Sequence, residues 1–334
     1  MTVTRPSSVS PPVVVASLGQ PSWWRTLRAR GHVPRRGWVS GGTVIVVAVL
    51  LAGLLAPWLA PHGYDDQDLA VALQPPVWAT GTWHNVLGTD PLGRDLLSRI
   101  LYGARTSLGL ALSAVLAAAA IGIALGLASG WVGGRLDALI MGVVEIQLSL
   151  PYLLFAIAFM ALLQPSLGNL VVVLVLRSWV VYAQLVRVAV LSMKRRDFVT
   201  VAVALGASDW RILLRHIAPN VLASALVVST FQLAELIIVE SSLSFLGLGV
   251  QPPMPSWGSM LSQGREYISS AWWLVTFPGV AIIVTVLGAN LLGDAIRDVM
   301  DPRLRGLRAV TRARTGLTAS PGTVARGTEE RIPA

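Results

Sequence analysis

The chain has 334 residues, of which 54% are hydrophobic and only 13% charged, with a mean hydropathy of +0.66 and a net charge of +9. An ordinary soluble domain carries about 25% charged residues, so this composition excludes one and indicates an integral membrane protein. The absence of cysteine excludes disulfides and thiolate metal sites, His32, His62, His84 and His216 never approach metal-ligand spacing, and the basic residues stand in blocks beside apolar runs, a poor pattern for a nucleic-acid partner.

In chain order, a basic leader (1–38) rich in Arg, Pro and Ser is expected to be largely disordered, with Trp23, Trp24 and Trp38 at the level of lipid headgroups. A span needs about 20 mostly apolar residues, and six runs qualify: 39–60, 106–130, 138–163, 168–192, 220–247 and 272–295. A cleaved signal peptide is the competing reading of the first run; its long leader and long apolar stretch favour a retained anchor. Six crossings put both termini on one side. With the leader inside, the inner segments hold twenty Lys and Arg, against four outside at Arg94, Arg99, Arg105 and Arg265. The positive-inside rule therefore makes both termini cytoplasmic, together with the loop 194–219. The last segment, 307–334, again reads as a disordered tail.

Between the first two spans, Asp90 is placed to cap a helix whose first position is Pro91, while Arg94 and Asp95 offer charges near the outer face, as structure or as contacts for another protein. Gly122, Gly126 and Gly130 recur every four residues and permit close helix contact. Glu145, Arg177, Arg187, Glu235 and Glu240 sit at membrane depth, where ionisable groups are costly. Arg187 and Asp294 fall toward helix ends, where long side chains snorkel. Glu145, Glu235 and Glu240, with Gln147, Gln184 and Gln232, either line a passage or pair across an interface.

The loop 194–219 reads as two short amphipathic helices. Phe198, Val201, Ala202 and Leu205 recur at helical spacing before Gly206, and Trp210, Leu213, Leu214 and Ile217 after it. Gly206 supplies a left-handed turn, Ser208 caps the second helix, Asp209 favours its positive end, and Pro219 marks the start of the next helix. The apolar faces fit either a groove on a partner protein or the surface of the bilayer. Farther on, Gly247, Gly249, Pro252, Pro253, Pro255 and Trp257 require a turn-rich outer structure, a rigid loop or a gate and docking surface.

Four segments, LGTDPLGRDLLSRILYGAR (87–105), ALGASDWRILLRHIAPN (204–220), ESSLSFLGLGVQPPMPSWGSML (240–261) and NLLGDAIRDVMDPRLR (290–305), resemble the permease subunit of dipeptide, oligopeptide or nickel importers of the ATP-binding-cassette class. The resemblance covers residues 39–306 and implies an all-α fold of six transmembrane helices with a cytoplasmic coupling helix between the fourth and fifth. It implies that Gly206, Ala207, Ser208, Asp209 and Arg211, with the flanking Phe198, Thr200, Ala202, Leu205 and Trp210, contact an ATPase subunit. Thr200, Val201 and Ala202 stand where the family usually has Glu, Ala, Ala, so that Thr200 replaces the glutamate, and Gln184 stands where it often has arginine. The resemblance gives only a general interface role to Asp90, Arg94 and Asp95, and a gate or docking role to Pro252 and Trp257. It implies two ATPase subunits carrying ATP and Mg, a homologous permease half and an extracytoplasmic binding protein.

The residues agree on the energy source. A phosphate-binding P-loop needs lysine directly after glycine, whereas the only lysine, Lys194, follows Met193. An intramembrane enzyme is disfavoured because neither H-E-x-x-H nor G-x-S-x-G occurs. The expected mechanism is alternating access without covalent chemistry, with cargo delivered by the binding protein. The alternative is a self-sufficient carrier or channel in which Glu145 or Glu240 binds protons or cations.

Overall fold

The computed structural model describes residues 35–81 and 83–300. The expected disorder of the leader up to residue 34, the headgroup placement of Trp23 and Trp24, and the disordered tail at 307–334 lie outside the described residues. The chain divides into two units, 1–37 and 38–334. The helices, all in the second unit apart from the first residues of α1, are α1 (Arg35–Leu54), α2 (Ala56–Leu59), α3 (Val77–Thr80), α4 (Leu96–Val132), α5 (Gly134–Ser149), α6 (Tyr152–Leu163), α7 (Leu167–Lys194), α8 (Asp197–Ala204), α9 (Asp209–Ile212), α10 (Ala218–Phe245), α11 (Trp257–Gly264) and α12 (Trp273–Met300). A π-turn, Leu213–Ile217, joins α9 to α10.

Among the described residues, four helical runs are long and apolar enough to cross a bilayer: α4, α7, the run from α9 through α10, and α12. A fifth arises if α5 and α6 count as one span, although they are bent 94° from each other. The run expected at 138–163 is therefore broken at Leu150 and Pro151. Proline lacks the N–H for a helical bond and disfavours helical geometry in the residue before it, and Leu150 is extended at φ −94°, ψ 134°. The run at 39–60 also departs from one long helix: α1 ends at Leu54 and a separate turn holds Ala56–Leu59. Its apolar part, Gly41–Leu54, is shorter than the other spans.

Packing between α4 and α7 organises the bundle. In lipid, close contact replaces the hydrophobic drive, so small residues mark the seam. A Cβ on Gly126 would lie 2.7 Å from the Ala183 carbonyl oxygen, and one on Gly130 2.8 Å from Val190 Cβ. Gly42 meets Leu291 in the same manner, and Gly293 meets Thr230 and Phe231. The largest buried cluster joins Leu108, Ala111 and Val115 of α4 to Leu170 and Leu174 of α7, Leu236 and Ile237 of α10, and Trp257 of α11.

Candidate coupling element and intramembrane polar site

The loop after α7 folds as α8, a left-handed turn and α9. Gly206 has φ +77°. Its N–H bonds the Val203 carbonyl at 2.9 Å, and the Ala207 N–H bonds that of Ala202 at 3.0 Å. This pair of bonds is the Schellman arrangement, in which glycine terminates a helix at no steric cost.

One side of the element is anchored. Val199, Ile212, Leu213 and Ile217 are buried with Val186 and Val190 of α7 and Val221 of α10. The other side is bare: Leu205 is 82% and Trp210 68% exposed, with Phe198, Val201, Val203 and Leu214 exposed as well. Thr200, Ser208, Asp209 and Arg211 share that exposure, while Ala202 and Ala207 are half-buried beneath it. The apolar faces thus have a core on one flank, which their spacing in the sequence does not reveal.

One local expectation is corrected. Ser208 takes the extended N-cap conformation, yet its hydroxyl makes no cap bond; Asp209 alone supplies favourable charge to that end. Pro219 stands in the first turn of α10, as its sequence position implies, and α9 and α10 together count as one run, Asp209–Phe245. The Ala218 N–H reaches back to Leu213, a widened turn beside the missing proline N–H. The His216 carbonyl is bonded by Asn220 Nδ2 at 2.8 Å.

Arg187 does not snorkel. Its Nε and Nη2 clamp Asp137 of α5 at 2.5 and 2.7 Å, and Ser129 Oγ donates to the same carboxylate at 2.5 Å. Bidentate geometry of this kind fixes the angle between two helices as well as their charge balance. Between these helix ends and α8 lies a cleft of about 610 Å³, lined by Trp131, Lys194, Val199, Thr200, Val203 and Asp209 among others.

At the opposite end of α4, Asp90 caps no helix. Gly93, at φ +73°, turns the chain first, and α4 begins at Leu96 with Asp95 as its cap, accepting from the Ser98 N–H at 2.8 Å. Asp90 instead accepts from the N–H groups of Leu92 and Arg94 and takes Arg94 Nε at 2.7 Å and the Arg99 guanidinium. Gln263 Oε1 of α11 completes the group by accepting from Arg99 at 3.0 Å. Asp90, Arg94, Asp95 and Arg99 are all buried. Sequence reasoning misses Arg99 and Gln263 as members of this group; the spacing Asp90, Arg94, Arg99 on either side of a helix start is the signal that points to the first of them.

Trp257 is buried too, its indole N–H donating to the Ile100 carbonyl at 3.1 Å. A reciprocal cap between Ser256 and Ser259 fixes the start of its helix. Of the residues assigned to an outer gate, only Pro252 is exposed.

The intramembrane polar residues divide into four situations. Glu145 and Gln184 are exposed on the bundle surface. Glu240 is 0% exposed, accepting from Ser244 Oγ at 2.7 Å and Ser241 Oγ at 3.4 Å; it belongs to the interior rather than to an open lining. Glu235 is paired with Arg177 at 2.8 Å and accepts from Gln232 Nε2 at 2.9 Å, and the Arg177 guanidinium stands 5.3 Å from the centre of the Tyr152 ring. Gln147 is structural: its amide bonds the Leu176 carbonyl and accepts from Trp179 Nε1.

An apolar helical bundle with ion pairs between its helices, and an amphipathic element projecting from the ends of two of them, defines an integral membrane protein with a surface bare for a partner. Comparison with known proteins narrows this. Residues 120–306 match the family described as binding-protein-dependent transport system inner membrane component, and residues 38–76 match the N-terminal TM domain of oligopeptide transport permease C. The chain is 42% identical over 304 residues to the dipeptide transport system permease protein DppC of Escherichia coli K12, covering 91% of this chain and 99% of that protein. It is 42% identical over 266 residues to the di/tripeptide transport system permease protein DppC of Pseudomonas aeruginosa, covering 79% and 88%. With the Haemophilus influenzae dipeptide permease the identity is 40% over 265 residues, covering 79% and 90%. The chain belongs to the binding-protein-dependent inner membrane component family: it is a non-catalytic permease subunit of an ATP-binding-cassette importer, with ATP hydrolysis on a separate subunit.

Proposed function

We propose that this permease carries dipeptides or tripeptides delivered by an extracytoplasmic binding protein, as one half of a passage completed by a homologous permease and driven by two ATPase subunits that hold ATP and Mg. In this reading α1 and the bent α5–α6 pair complete six spans, and both termini face the cytoplasm, in keeping with the excess of Lys and Arg in the inner segments.

The α8–Gly206–α9 element is the handle by which the ATPase works. The observation that carries this is its division into an anchored flank, Ile212 and Ile217, and a bare apolar crest, Leu205 and Trp210. A crest of that kind is suited to insertion in a groove on a soluble partner. ATP binding draws the two ATPase subunits together; the handle follows, and the bundle rocks from inward to outward access. Nothing in this step breaks or forms a covalent bond in the permease.

Because the chain has no cysteine, Leu205→Cys places a single thiol on the crest. A cross-link from it to an ATPase subunit of the assembled transporter, altered by ATP, is the expected result. Labelling of Leu205→Cys by a water-soluble reagent at the same rate with and without the ATPase subunits would overturn the assignment.

A further inference from the structure

We propose that Arg177 and Glu235 form a subsite for the two end charges of a zwitterionic short peptide, the guanidinium receiving its carboxylate and the glutamate its ammonium. The inference rests on the peptide-importer reading and adds a contact point within the membrane.

Depth is the first argument. Arg177 is the eleventh residue from the start of α7 and Glu235 the eleventh from the end of α10. At about 1.5 Å per residue, both lie some 15 Å inside those helix ends. Ionisable groups at such depth face a bundle interior or a watery path. These side chains are 26% and 40% exposed, so they are open to the bundle surface where Glu240 is sealed. Gln184 follows Arg177 by seven residues on the same face of α7 and is exposed, which extends the polar stripe.

The backbone beside the pair is the second argument. Leu150 and Pro151 interrupt the α5–α6 run immediately before Tyr152, whose ring underlies Arg177. Non-helical backbone at membrane depth is tolerated where it is buried in protein or lines water; residues 148–151 are exposed.

The third argument is unused hydrogen-bonding capacity. Tyr152 Oη and Gln232 Oε1 are buried and have no hydrogen-bond partner, although buried polar groups are normally paired. They border an ion pair that already balances its own charge, so the site offers a matched positive and negative pole with a spare hydroxyl and a spare carbonyl. A ligand carrying one charge of each sign, separated by a peptide group, fits that inventory. An ion or a singly charged solute leaves one pole uncompensated.

The test uses the assembled transporter. Uptake of Ala-Ala by the wild-type complex with its binding protein is measured first; absence of uptake of any peptide overturns the importer reading and this subsite with it. Equilibrium binding of Ala-Ala, N-acetyl-Ala-Ala and Ala-Ala amide is then measured on the complex without binding protein. Wild type is expected to favour Ala-Ala by about tenfold over either blocked form. Glu235→Gln should lose discrimination against the acetylated peptide alone, and Arg177→Gln against the amide alone. The double variant should bind all three alike. If wild type binds the three alike, or if the variants weaken all three in proportion while uptake persists, the pair is a tie between helices and the subsite is refuted.

Discussion

Replacing Gly206 isolates the shape of the proposed coupling element from its packing. The residue sits at φ +77°, and a Cβ placed on it meets nothing within 4 Å. The Cβ of a valine there meets no neighbour, so the cost worked out from the backbone is conformational. An L-residue held in the left-handed region costs about 1–2 kcal/mol, and a β-branched one sits at the upper end. That shifts the population of the native turn by a factor of about 5–30. A chain that escapes the strain by flipping the turn gives up the Gly206 and Ala207 bonds to α8, worth about 1 kcal/mol each, and re-aims Leu205 and Trp210. In proteoliposomes, Gly206→Val is expected to lower peptide imported per ATP hydrolysed by about 5–30-fold, with the permease still folded and its thermal midpoint lowered by only a few degrees. Gly206→Asn should fall between, since asparagine tolerates this conformation. An unaltered ratio of uptake to hydrolysis in folded Gly206→Val refutes the reasoning.

Gly126→Leu forces a side chain against Ala183 and Val186 and should destabilise the bundle by about 1–3 kcal/mol, read as a lowered melting temperature in detergent. Gly109→Leu on the same helix, where a Cβ meets open space, should melt like wild type. Asp90→Ala leaves Arg94 and Arg99 buried without their shared carboxylate and should cost about 3–5 kcal/mol, seen as loss of folded, solubilised permease. A wild-type melt for Asp90→Ala contradicts the burial of that cluster.

The α8–Gly206–α9 element is legible in the sequence because two independent local rules agree on its shape: helical spacing of apolar residues on both sides, and a glycine where the chain takes positive φ. The Gly122, Gly126, Gly130 row is legible for a similar reason, since a period of four on one helix needs no knowledge of the partner. Sequence reasoning fails where a proline or an aspartate carries more than one local meaning. Pro219 does open α10, yet the π-turn before it leaves α9 and α10 as one run; Pro151, inside an unbroken apolar run, breaks the helix. Asp90 before proline reads as a cap, but the cap is Asp95, and Asp90 is held by Arg99, itself tied to an α11 residue far along the chain, Gln263. Long-range partners of that kind leave no local trace. Glu235 and Glu240 look alike in sequence, five residues apart, yet one faces outward with Arg177 and the other is enclosed by serines.

The joining of α9 to α10 has a mechanical result. Trp210 and Glu235 belong to one helical run, Asp209–Phe245, with the π-turn Leu213–Ile217 between them, and at about 1.5 Å per residue they stand nearly 40 Å apart along it. In such a run the π-turn is the one place where a small displacement can be absorbed, and whatever tilt of Trp210 passes it also reaches the acidic partner of Arg177, about 15 Å short of the other end.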